Sequence, residues 1–147
     1  MTSPVNPPAL PVETDPRFPS GPWKGFFLQP GLPGRHWMEI HITFRNGRLL
    51  GEGRDRVGPF VMAGRYDLAD GTCRWTKSYV GQHAIDYRGY NEGKGIWGRW
   101  EWPLSLVWHG GFHIWPVGLG FQDPTRLNEA AEIPEAIDFA VEEALAV

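Results

Sequence analysis

The chain has 147 residues, a formal charge of −3 and 41% hydrophobic residues, enough for one domain that buries roughly two thirds of its unfolded surface. Its lone cysteine, Cys73, rules out an intrachain disulfide and any paired-cysteine metal site. So mild a charge argues against nucleic acid as a partner, since that footprint needs lysine and arginine clustered on one face.

Residues 1–20 hold six prolines and two acids without a continuous apolar stretch, which fails both as a secretory signal and as a membrane span. They read as a flexible proline-rich arm on a cytoplasmic protein with no membrane contact. Residues 21–122 read as a barrel domain, and residues 123–147 as an acidic C-terminal helix. From residue 127 onward there are six acids, Glu129, Glu132, Glu135, Asp138, Glu142 and Glu143, and no lysine or arginine, leaving +3 for the rest.

The first strand is expected over residues 22–29, with Pro22 at a strand start where a missing N–H is tolerated, and Pro30, Gly31, Leu32, Pro33 and Gly34 form a turn-rich stretch after it. Met38, Ile40, Ile42 and Phe44 then alternate with Glu39, His41, Thr43 and Arg45, the two-residue period of a half-buried strand. Asn46-Gly47 follows at once. Both residues of a type I′ turn need positive φ, so this pair predicts a hairpin into the third strand, residues 48–56, with Leu49, Gly51, Gly53 and Asp55 on one face.

Further strands are expected over 60–66, 72–80, 82–90, 96–102 and 106–115, separated by turns rich in glycine, aspartate and asparagine. No connection has room for a crossover helix, so neighbouring strands must run antiparallel. All eight tryptophans lie between Trp23 and Trp115. The expected fold is all-β, an eight-stranded antiparallel up-and-down β-barrel whose closure removes both sheet edges, with an open sheet or sandwich as the alternative. A C-terminal α-helix follows, with Pro134 in its first turn and Ile133, Ile137, Val141 and Ala144 at helical spacing.

Carrying the inward parity of Met38 through the turns puts Cys73, Trp75, Lys77 and Tyr79 on one face of the fifth strand, and His83, Ile85, Tyr87 and Gly89 on one face of the sixth. Lys77, Tyr79, His83 and Tyr87 then converge with Asp55 or Tyr66 beneath Trp75 and Trp100. Those eight residues, Asp55, Tyr66, Trp75, Lys77, Tyr79, His83, Tyr87 and Trp100, are the candidate ligand-binding set, because an apolar cavity with a few polar groups is the usual make-up of a small-molecule site. The competing reading is packed aromatic core, with Lys77 and Asp55 as a simple ion pair.

If the barrel is catalytic, His83 is the candidate acid or base, with a nearby tyrosine or Lys77 assisting in a cyclase- or isomerase-type reaction. A third reading is a non-enzymatic interaction module using outward tryptophans, for which Trp37, Trp97 and Trp108 are candidates, and a homo-oligomer is expected on the same ground. No metal site is expected: His109 and His113 are about 13 Å apart along one strand. No cofactor motif is present. The expected partner is a small hydrophobic or aromatic molecule.

Gly21-Pro22-Trp23 at the start of an eight-strand meander resembles the Gly-x-Trp opening of calycin-like barrels of the lipocalin and avidin type. The resemblance implies a tryptophan, here Trp23, plugging one end of a barrel that holds a small ligand. Lys24-Gly25 stands where avidin-type proteins carry a biotin-binding asparagine, so the resemblance transfers a ligand-in-barrel architecture without a ligand identity.

Overall fold

The structure is a computed structural model that describes residues 11–118. The expected C-terminal helix and the first ten residues of the expected arm lie outside the described residues.

Eight strands follow one another: β1 (Gly21–Gln29), β2 (Leu32–Arg45), β3 (Arg48–Arg54), β4 (Pro59–Tyr66), β5 (Thr72–Tyr79), β6 (Ala84–Asn91), β7 (Ile96–Trp102) and β8 (Ser105–Pro116). Each pairs antiparallel with the next, and β1 also pairs with β8, so the sheet is a closed barrel in meander order. Trp23 sits in both seams of its strand, opposite Ile40 on one side and Pro116 on the other. This closed eight-strand meander is consistent with calycin-like architecture.

The Asn46-Gly47 hairpin forms as expected, with φ of +48° and +77° at the two positions. Three strand limits differ from the sequence reading by two residues or more, because the first turn closes more tightly than expected and the turns after β3 and β5 take more residues. Pro30-Gly31, with φ of +77° at Gly31, is itself the whole connection, so β2 begins at Leu32 within the stretch expected to be a turn. β3 stops at Arg54 because Asp55 leaves the ladder: its side chain accepts a hydrogen bond from the Val57 amide at 2.8 Å, while the Asp55 and Gly58 backbones pair with each other. β6 starts at Ala84, since the Gln82 amide donates to the Tyr79 carbonyl and the Tyr79 amide to the His83 carbonyl, which places His83 in the turn.

Inward parity follows the expected pattern. Met38, Ile40, Ile42 and Phe44 of β2, Leu49 of β3, Cys73, Trp75, Lys77 and Tyr79 of β5, and Ile85 and Tyr87 of β6 are all buried. Glycines on the inner faces let the strands bend together: a Cβ on Gly64 would strike the Arg74 carbonyl and the Cα of Trp75, a close approach only glycine permits.

One end of the barrel is shut. Residues 11–20, the second half of the segment expected to be an arm, run across this end with Phe18 fully buried. Its ring lies 5.4 Å from Phe44 and 4.9 Å from Tyr66, and Trp23 packs 5.5 Å from Phe44. The segment is tied down by polar bonds as well: the Glu13 amide donates to the Phe44 carbonyl, the Tyr66 hydroxyl to Glu13 at 2.6 Å, the Trp23 indole to the Pro19 carbonyl at 2.8 Å, and the Asn91 amide to the Arg17 carbonyl at 2.6 Å. Trp23 is therefore buried at the shut end, where it and Phe18 both pack against Phe44.

Candidate functional site: a cavity at the open end above a buried ion pair

The opposite end is formed by the turns after β1, β3, β5 and β7. A cavity of about 260 Å³ opens there, lined by Phe27, Gln29, Val57, Tyr79, His83, Ile85, Tyr87, Trp100, Trp102 and Trp108. Its walls owe their positions to ordinary strand parity and to one irregularity. The β1–β2 register shifts between Phe27 and Gln29, and the Trp100 indole donates to the intervening Leu28 carbonyl at 2.8 Å. That bond fixes the Trp100 ring against the cavity.

Beside Tyr79 and Tyr87 lies a charged cluster cut off from water. Lys77 Nζ is 2.5 Å from Asp55 Oδ2, and the two side chains are 1% and 0% exposed. The three ammonium protons have three acceptors: Asp55, the Tyr87 hydroxyl oxygen at 3.2 Å and the Met38 sulfur at 3.4 Å. The Tyr79 hydroxyl donates to the same Asp55 oxygen at 2.6 Å. Four rings enclose the ammonium, with centroids at 4.4 Å (Phe60), 4.8 Å (Tyr79), 4.9 Å (Phe27) and 5.2 Å (Tyr87), a cation–π cage whose attraction is strongest where water is excluded.

Burial pulls the Lys77 ammonium down to about 8, against the opposing pull of the Asp55 carboxylate and its hydrogen bond. Burial, then the neighbouring Tyr87 and Asp55, push the Tyr79 phenol far up. Burial, then the Asp55 charge, do the same to Tyr87. Both phenols are thus neutral hydroxyls at physiological pH. Because the Tyr87 oxygen accepts from Lys77, its own proton is left to be donated, and Tyr87 lines the cavity.

Comparison of the chain with family models, with curated proteins and with solved structures found no match.

Of the candidate ligand-binding residues, Tyr79, His83, Tyr87 and Trp100 line the cavity, while Lys77 and Asp55 form the charged cluster behind two of them. Trp75 does not line it. It stacks on Tyr87 at 5.4 Å with planes 12° apart and meets Phe112 edge-on at 5.3 Å, so it supports the Tyr87 ring from within the core. Tyr66 is at the shut end, bonded to Glu13: it ends β4 where Asp55 ends the β3 side of the opposite rim, and parity alone does not separate those heights. His83 is exposed on the rim, its ring 5.2 Å from Tyr79 and 5.8 Å from Trp102.

The candidate set lacked the liners Phe27, Gln29, Val57, Trp102 and Trp108, and also Ile85, which parity had placed on the inward face. Phe27 was open to parity too, because Trp23, Gly25 and Phe27 share one face of β1. Trp108 lies on the inward phase of β8 with Gly110 and Phe112, at the rim, and lines the cavity instead of facing outward. Trp37 does face outward, 47% exposed beside the Phe26 and Trp115 rings.

Proposed function

We propose that this protein is a small-molecule-binding barrel whose ligand enters the open end and occupies the cavity above Lys77 and Asp55. The observation that carries the reading is the combination at that end: an aromatic-walled space and, bordering it, a phenol whose oxygen is already taken by a buried ammonium. A fully buried ion pair costs several kcal/mol of desolvation per ion and is not retained for stability alone when apolar residues of similar volume serve as well. Here it occupies the Tyr87 oxygen and leaves the hydroxyl proton to be donated.

The ligand class follows from size and polarity. A dry cavity of about 150 Å³ accepts benzene, and drug-sized sites begin near about 300 Å³, so 260 Å³ suits a compact one- or two-ring aromatic or amphipathic molecule. It should carry a carbonyl or similar acceptor for the Tyr87 hydroxyl. The walls supply stacking, and the hydroxyl supplies orientation.

The test is titration of the full chain with 2-acetylnaphthalene, followed by quenching of tryptophan fluorescence, together with native mass spectrometry of freshly purified protein for a retained small molecule. Saturable quenching that Ile85→Trp abolishes by filling the cavity supports the reading. Quenching unchanged in that variant, or no binding and no retained molecule, removes it.

A further inference from the structure

The strand registers place six arginines in one unbroken cross-strand row on the outside of the barrel. Arg45 of β2 pairs with Arg48 of β3, Arg48 with Arg65 of β4, Arg65 with Arg74 of β5, Arg74 with Arg88 of β6, and Arg88 with Arg99 of β7. At the usual strand spacing the row covers about 24 Å of sheet. Arg48, Arg65, Arg74 and Arg88 are exposed. Like charges directly opposite one another destabilise a sheet, so five successive arginine pairs are a cost that the barrel itself does not explain.

Among the described residues, an acid neutralises the row only at its β6–β7 end. Glu101 bonds Arg88 at 3.0 Å and also Arg99, while Arg48, Arg65 and Arg74 form no ion pair with a described residue. Asp67 and Asp70 accept bonds within their own turn, from the Ala69 amide and from Thr72, and Asp86 accepts from Thr76. Next to the row, two residues along on the same outer face, Tyr90 and Trp97 pair across β6 and β7 with ring centroids 4.3 Å apart, both half-buried.

We propose that this row is a binding track for the phosphate backbone of single-stranded nucleic acid, with Tyr90 and Trp97 as its stacking platform. Arginine forks suit phosphate oxygens, and basic grooves flanked by aromatic rings are the means by which single strands are held without sequence preference. The row crosses six of the eight strands and so follows the curve of the barrel wall. A flexible single strand can follow that curve, whereas a stiff duplex meets only part of it. Net charge missed the track because it averages over the chain, and the acids that balance these arginines lie elsewhere in the sequence.

The test uses the full chain and a fluorescein-labelled oligothymidylate of about 20 nucleotides, followed by anisotropy at about 50 to 200 mM salt. With about five phosphates engaged, the affinity should fall about 100-fold across that range. Arg65→Gln with Arg74→Gln, two exposed positions whose loss relieves repulsion, should flatten the salt slope by about 1.4 in log–log terms. Trp97→Ala should weaken binding about tenfold and leave the slope unchanged. No binding, binding indifferent to the arginine pair, or equal affinity for a poly-glutamate peptide overturns the proposal. So does binding that appears only after the six acids between Glu129 and Glu143 are changed to amides, because the row would then belong to the chain's own acidic segment.

Discussion

Lys77 and Asp55 are joined by a 2.5 Å bond inside the barrel, with neither side chain reaching water, and the connection ties the end of β3 to β5. Removing one partner of such a pair strands a charge in low dielectric, at about 3–5 kcal/mol. Lys77→Met should therefore cost about that much in urea denaturation, with the Asp55 carboxylate left facing the Val57 amide and the Tyr79 hydroxyl and no counter-charge. Asp55→Asn should cost about as much, because its single amide oxygen keeps either the Val57 bond made at Oδ1 or the Lys77 and Tyr79 bonds made at Oδ2, and the ammonium is left buried without a counter-charge. The double variant should lose less than the sum of the two, and strict additivity would show that the contact is not an energetic unit.

The same cluster sets a pH dependence. The folded state holds Lys77 at about 8 where the unfolded chain holds it near its ordinary 10.5, so between those values the unfolded state binds more protons and stability rises with pH. The buried phenols act oppositely. Tyr66 is raised to about 12 by burial and its Glu13 bond, and Tyr79 and Tyr87 are raised as well, so the unfolded state loses their protons first and stability falls as pH passes 10. The buried Cys73 thiol, raised from 9.0 to about 12, removes stability from pH 9 upward, so denaturation midpoints should climb from pH 8 toward 9, flatten, and drop beyond 10. In Lys77→Met the climb should vanish while the drop remains.

Phe18 closes the shut end, and its ring has no exposed surface. Phe18→Ala should cost about 3–5 kcal/mol, as for other buried phenylalanines. Amide hydrogen exchange at Glu13, whose N–H bonds to the Phe44 carbonyl, should accelerate well beyond the global change. Exchange at Glu13 that only follows global stability would show that residues 11–20 and the barrel open as one unit.

Cys73 is buried on β5, and burial pushes its thiol up to about 12. Thiolate is the reactive form, so Ellman's reagent should fail to modify the native protein at pH 8. Modification should proceed at the unfolding rate when urea is added. Rapid native labelling would place a water path through the closed end.

Parity was the legible part. The alternation from Met38 to Phe44, the Asn46-Gly47 turn and the glycine-marked turns after it were enough to propagate one inward face around the sheet, and so to bring Lys77 and Asp55 together from residues far apart in sequence. Height along the barrel axis was not legible, because it depends on register and on where each turn closes. Tyr66 and Tyr79 share a face yet lie at opposite ends, and His83 leaves its expected strand because the turn after Tyr79 takes four residues. Phe18 was hidden for another reason: a single aromatic among prolines has no periodicity to reveal that it docks. The arginine row needed all five registers at once.

The last seam of the wall joins the first strand to the final one, with Trp23 opposite Pro116. During synthesis β1 must therefore wait, its Phe26 and Phe27 unshielded, until nearly the whole domain has left the ribosome, and so long-range a contact makes for a slow search. Shortening the chain inside β8 would leave two raw edges instead of a smaller barrel, and such a fragment should self-associate through them.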